Sequence, residues 1–143
     1  MKEQEKNSSP PVETVPADPV GGPELAVLWT TVATEDEARR LASGLLERQL
    51  AGCVQVDSNV RSYYRWKGQT QAETEYRVVI KTLATHQQRA MSWIRQNHPY
   101  ELPQIVVLSV TSATSDYAGW IAEQVLESAG ESSAGEGSAG EGQ

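Results

Sequence analysis

Apolar positions recur along this chain with two different periods. Leu25-Ala26-Val27-Leu28-Trp29-Thr30-Thr31 is a near-continuous apolar run bounded by turn formers, the pattern of a buried strand. Ala38, Leu41, Ala42, Leu45, Leu46 and Leu50 then follow at helical spacing, which predicts an amphipathic helix over about 35–50 with one face in the core. Thr34 and Glu37 form a capping box at its start, Glu35 and Asp36 suit the positive end of its dipole, and Gly52 is expected to end it.

Val54, Val56, Val60, Tyr64 and Trp66 share one parity, and Tyr76, Val78 and Ile80 alternate on the way back from a turn at Lys67-Gly68-Gln69. This predicts a hairpin of two long strands, with Asp57-Ser58-Asn59 marking a bend or bulge. Its arms, near 60–66 and 70–77, are too long for one small domain to cover. Bare strand edges of that length invite pairing with another subunit. Thr82-Leu83-Ala84-Thr85 repeats Thr31-Val32-Ala33-Thr34, and Thr85 with Gln88 reads as a second capping box. A helix over about 86–97 follows, with Met91 and Ile94 toward the core. A strand at Ile105–Val110 comes next, then a last helix carrying Tyr117, Trp120, Ile121 and Val125. Two strand-helix-strand halves indicate an α+β ferredoxin-like sandwich with a long β-hairpin and an extra C-terminal helix.

Composition divides the 143 residues into three parts. Residues 1–23 are rich in Pro, charge and small side chains, and residues 128–143 repeat Ser-Ala-Gly-Glu from Ser128, Ser133 and Ser138. Neither end has enough apolar surface to offset chain ordering, so both are expected to be disordered tails around a folded domain at 24–127. Much of the net charge of −7 sits in these tails, which leaves a near-neutral domain without a basic stripe. Nucleic acid is therefore not the expected partner, and no apolar run is long enough to span a membrane. The one cysteine excludes an intrachain disulfide framework, and the N-terminus has no apolar signal region, so a cytoplasmic location is expected.

Candidate chemistry concentrates at His98-Pro99-Tyr100-Glu101, where the second helix must stop because Pro99 disfavours helical backbone at His98. His98 either makes a structural hydrogen bond at this corner or lines a cleft. Tyr100 is expected to pack with its hydroxyl bonded, and Tyr64 and Trp66 to pack across a subunit interface. Lys81, in an apolar strand, either snorkels to solvent or faces a cleft as the partner of Glu101 or of an anion. Cys53 reads as a small hydrophobe, with a ligand or redox thiol as the alternative. His86 reads as a solvated residue at a helix start.

Several of these stretches together resemble the CutA family of divalent cation tolerance proteins. They are Ala51-Gly52-Cys53-Val54, Ser62-Tyr63-Tyr64-Arg65-Trp66-Lys67-Gly68, Val79-Ile80-Lys81-Thr82, His98-Pro99-Tyr100-Glu101-Leu102-Pro103, and Tyr117 with Trp120. The resemblance covers about residues 25–125. It implies a homotrimer whose hairpin strands pair between subunits, and a non-enzymatic role in tolerance of copper and other divalent metals, with copper binding. The family's copper-ligand positions, a Cys late in the first strand and two adjacent His before Pro-Tyr, align with Trp29, Asn97 and His98. Only His98 is a metal-ligand side chain, so the implied metal site rests on His98, with Tyr64, Trp66, Lys81, Tyr100 and Glu101 as cleft or interface residues.

Two other readings stay open on sequence. By analogy with trimeric nitrogen-regulatory proteins, Lys81, Arg65 and His98 would receive a nucleotide or other anion between subunits, although no glycine-rich phosphate loop accompanies them. An enzyme would use His98 and Glu101 as an acid-base pair, but no nucleophile motif goes with them. The acidic tails are a further candidate for contact with other proteins.

Overall fold

The structure is a computed structural model and describes residues 20–125. The tail assignments for residues 1–19 and 128–143, and the last two residues assigned to the domain, 126–127, lie outside the described residues. Residues 20–23, grouped with the N-terminal tail by composition, lie beside the last helix. Val20 forms a bridge with Thr114, and the Gly21 amide donates to the Ala113 carbonyl at 3.4 Å.

Four strands and three helices make a mixed α+β fold. The elements are β1 (Leu25–Val32), α1 (Glu35–Glu47), β2 (Cys53–Trp66), β3 (Gln69–Leu83), α2 (Gln87–Asn97), β4 (Val106–Ser109) and α3 (Ser115–Gln124). The strands form one antiparallel sheet in the order β2-β3-β1-β4. On one face Leu28 and Val32 of β1 and Val78 and Ile80 of β3 pack against Leu41 and Leu45 of α1 and Ala90 and Ile94 of α2. A second cluster joins Leu25 to Ala118, Ile121 and Val125 of α3, with Cys53 and Tyr117 at its margin. Cys53 is a half-buried free thiol there.

The Thr34 capping box forms as expected: the Glu37 amide donates to the Thr34 hydroxyl at 3.1 Å, and Glu37 accepts from the Thr34 amide. The helix stops earlier than expected, at Glu47, because Gln49 turns into the left-handed region at φ 56°. Gly52 therefore has a different reason to be glycine. A Cβ there would stand 2.8 Å from Ile121 Cδ1, so Gly52 is what lets α3 sit close against the sheet. Leu46, included in the helical stripe, is exposed, since the core face takes Ala38, Leu41, Gly44 and Leu45.

The second capping box does not form. Ala84–His86 is a single 3₁₀ turn, the residue capping α2 is His86, and no side chain caps it. Thr85 Oγ1 instead bonds His86 Nδ1 at 3.0 Å. His86 is buried at 4% exposure rather than solvated. The tight turn carries its ring inward, where an open helix start would have left it in water.

The hairpin is long, as expected: β2 has 14 residues and β3 has 15, against 8 in β1 and 4 in β4. Lys67 (φ 52°) and Gly68 (φ 80°) make its two-residue turn between Trp66 and Gln69, the mirror-image turn that suits strand twist. The register slips between Asp57 and Val60, where Asn59 takes φ 63°. Before the slip Val54 and Val56 face Ile80 and Val78. After it Ser62 and Tyr64 face Glu73 and Gln71. β3 alternates without interruption, so the even positions of β2 change face at this bulge. The single parity read along β2 thus serves two faces.

Candidate functional site: an acidic, aromatic groove beside His98

Among the described residues, the hairpin strands beyond the bulge pair only with each other. The last β1–β3 pair is Val32 with Tyr76. The chain leaving α2 at His98 passes the end of β1 and closes on this arm. Tyr100 Oη donates to Glu75 Oε2 at 2.7 Å, and Ser62 Oγ donates to Glu75 Oε1 at 2.7 Å. Glu75 is only 7% exposed. Its charge is met by two hydroxyls, and no ion pair among the described residues includes it. Burial, and then the Glu75 carboxylate, push the Tyr100 phenol far above its ordinary value. The Tyr64 phenol is raised in the same direction, chiefly by its hydrogen bond to Glu73.

These groups line a groove of about 750 Å³. Tyr64, Trp66 and Leu102 supply apolar wall, and Glu73, Glu75 and Glu101 supply carboxylates; among the described residues no Lys or Arg lines it. Four of the residues expected at a cleft, Tyr64, Trp66, Tyr100 and Glu101, are therefore brought together. Lys81 is not with them. Its Nζ lies over the Tyr117 ring at 5.8 Å. Arg65 is remote from it as well, since Arg65 pairs with Thr70 and Lys81 lies 11 residues further along β3, roughly 36 Å. One protomer thus does not assemble Lys81, Arg65 and His98 around an anion, and the carboxylates of the groove disfavour one.

His98 sits at the inner end of the corner with both ring nitrogens bonded. The Tyr100 amide donates to Nδ1 at 3.1 Å, so Nδ1 accepts and Nε2 carries the proton. Nε2–H donates to the Thr31 carbonyl at 3.0 Å and lies 2.9 Å from Thr30 Oγ1. Burial lowers the His98 pKa, opposed by the bond to the Thr31 carbonyl, so the ring is neutral at pH 7. Neutral imidazole is the form a metal binds, but neither nitrogen has a free lone pair while these bonds stand. The other family ligand positions are committed too. Trp29 lies under the Arg77 guanidinium at 4.7 Å, and Asn97 Nδ2 donates to the Trp93 carbonyl at 2.8 Å. Among the described residues no three of His, Cys, Asp and Glu converge as a metal cluster would. The side chains of a single protomer as placed do not fit a copper centre.

Glu75 was not singled out from the sequence, and Ser62 entered only as part of the Ser62–Gly68 stretch, without a site role. The available signal was the short alternation Glu73-Thr74-Glu75 opposite Ser62, Arg61 and Val60, which becomes readable only once the one-residue slip is known.

Residues 26–124 match the family model for the CutA1 divalent ion tolerance protein. This chain belongs to the CutA1 family. The divalent-cation tolerance protein CutA of Pectobacterium atrosepticum is 37% identical over 98 residues, which cover 68% of this chain and 89% of that protein. The structure of CutA from Synechococcus elongatus matches with a TM-score of 0.71 at 33% identity, over 75% of this chain and 96% of that one. A third relative, described as the periplasmic divalent cation tolerance protein CutA of Archaeoglobus fulgidus, matches at 27% identity with a TM-score of 0.69 over 71% of this chain and 99% of that one. Proteins of the CutA1 family are named for tolerance of divalent ions, not for catalysis.

Proposed function

We propose that this CutA1-family chain is a non-enzymatic divalent-cation tolerance protein of the cytoplasm, working as a homotrimer of ferredoxin-like protomers. The hairpin carries this reading. Among the described residues no third strand flanks its arm beyond the Val32–Tyr76 pair, while the sheet face away from α1 and α2 leaves Val106 and Leu108 exposed beside Trp29 and Val27. Strand pairing along the arm and burial of this face in a neighbouring copy would satisfy both.

In this reading the cation, copper in particular, is taken at His98 with donors from neighbouring copies. Binding then requires the Tyr100 amide to leave Nδ1, which makes the site weak. Light scattering before and after metal removal tests the assembly, and a monomer in both states would sink it. Calorimetric titration with copper and zinc, on wild type and His98→Ala, tests the site. Equal binding by the two proteins would remove His98 from it.

A further inference from the structure

Beyond the slip at Asp57–Val60 the hairpin arm is a two-stranded ribbon whose two faces carry opposite charge. Residues directly opposite in the register share a face. Val60 with Glu75 and Ser62 with Glu73 therefore lie on one side, and Arg61 with Thr74 and Arg65 with Thr70 on the other. Glu101 lines the same groove as Glu73 and Glu75. The arginines meet only neutral acceptors: Arg61 donates to the Thr74 hydroxyl at 3.0 Å and Arg65 to the Gly68 carbonyl at 3.3 Å. Among the described residues no ion pair includes either arginine or any of the three glutamates. The hairpin's one ion pair, Arg77 with Asp57, lies before the slip.

The acidic face is continuous with the open face of the sheet. β3 runs unbroken, so Glu73 and Glu75 point to the same side as Arg77 and Val79, whose register partners in β1 are Thr31 and Trp29. A neighbour that covers Trp29, Val106 and Leu108 therefore lies along Glu73 as well. The two faces of a ribbon point in opposite directions, so one neighbour cannot touch both. Joining acidic face to basic face then needs a different neighbour on each side. That is a head-to-tail contact, which closes into a ring, whereas a two-fold contact through either face would set like charges together.

We propose that the basic face of one copy's arm, carrying Arg61 and Arg65, docks on the acidic face of the next copy's arm, at Glu73 and Glu101. The groove is filled by a second copy of this chain. This rests on the homotrimer reading and adds to it which faces meet; metal plays no part in it.

Light scattering over a dilution series of the full chain, at low and high salt, tests the docking. Two pairs of substitutions reverse one face each: Arg61→Glu with Arg65→Glu, and Glu73→Arg with Glu101→Arg. All four side chains are exposed, so the protomer keeps its fold, which circular dichroism checks. Either pair should raise the concentration at which the assembly falls apart by about tenfold or more. Both pairs joined in one chain should bring it back to the wild-type range. Salt should weaken the wild-type assembly and strengthen that of either one-face variant, since screening removes attraction in the first and repulsion in the second. A wild-type monomer would overturn the homotrimer reading and the docking with it. A wild-type trimer that neither pair loosens, or that both loosen without recovery when joined, would overturn the docking alone.

Discussion

Tyr100 Oη and Glu75 Oε2 are 2.7 Å apart, and this one bond ties the corner after α2 to the hairpin arm. Removing the hydroxyl leaves a buried carboxylate with one donor fewer. Tyr100→Phe is therefore expected to cost about 2 kcal/mol, in the range for a hydrogen bond to a charged group. Urea unfolding at fixed protein concentration measures it. A loss under about 0.5 kcal/mol would mean that water replaces the phenol freely.

His98 gives the protein a pH dependence with a defined sign. Its folded pKa lies below the ordinary 6.5, so below that value the unfolded chain binds the proton more readily than the folded one. The contribution to stability is fully present above about pH 6.5. It is lost as pH falls through the lower folded value. The structure gives the reason: the added proton would sit on Nδ1, facing the Tyr100 N–H. Melting temperatures between pH 7.5 and pH 5 should fall more steeply for wild type than for His98→Asn, and parallel curves would count against this account.

Gly52 is held by Ile121. A methyl group there meets Ile121 Cδ1 at 2.8 Å and the Ile121 Cα at 3.3 Å, so side-chain rotation alone does not relieve it. Gly52→Ala should destabilise by about 1–3 kcal/mol through overpacking. Hydrogen exchange should show the loss concentrated in α3.

The exposed sheet face makes a separate prediction. Leu108 is 38% exposed opposite Val27. Leu108→Glu should leave the protomer folded, since the side chain is not in its core, and, if the proposed trimer buries this face, should shift light scattering toward the monomer. A trimer that survives the substitution would move the interface elsewhere.

Most of the fold was legible because its signals are local. The helical stripe of Leu41 and Leu45, the Thr34–Glu37 box and the alternation of Tyr76, Val78 and Ile80 each lie within a few residues. The failures came where a distant contact decides. Thr85 looked like a cap, but a tight turn takes His86 inward. Gly52 looked like a helix stop, but Ile121, 69 residues later, is what demands it. At the groove, the corner at His98 and Tyr100 announced itself through Pro99. Glu75 did not, because a glutamate in an exposed strand looks ordinary until Tyr100 and Ser62 are seen on its two oxygens.

The slip at Asp57–Val60 has a consequence for how this arm changes over time. Side-chain identity there is less decisive than residue count. Removing one residue from 57–60 would keep Ser62, Tyr64 and Trp66 in the chain yet turn the whole row to the opposite side, away from Glu73 and Glu75. Length in that short segment therefore acts as a heritable switch for the groove. Relatives that keep every groove residue but differ by one position at the slip should turn the opposite row of side chains toward Glu73 and Glu75.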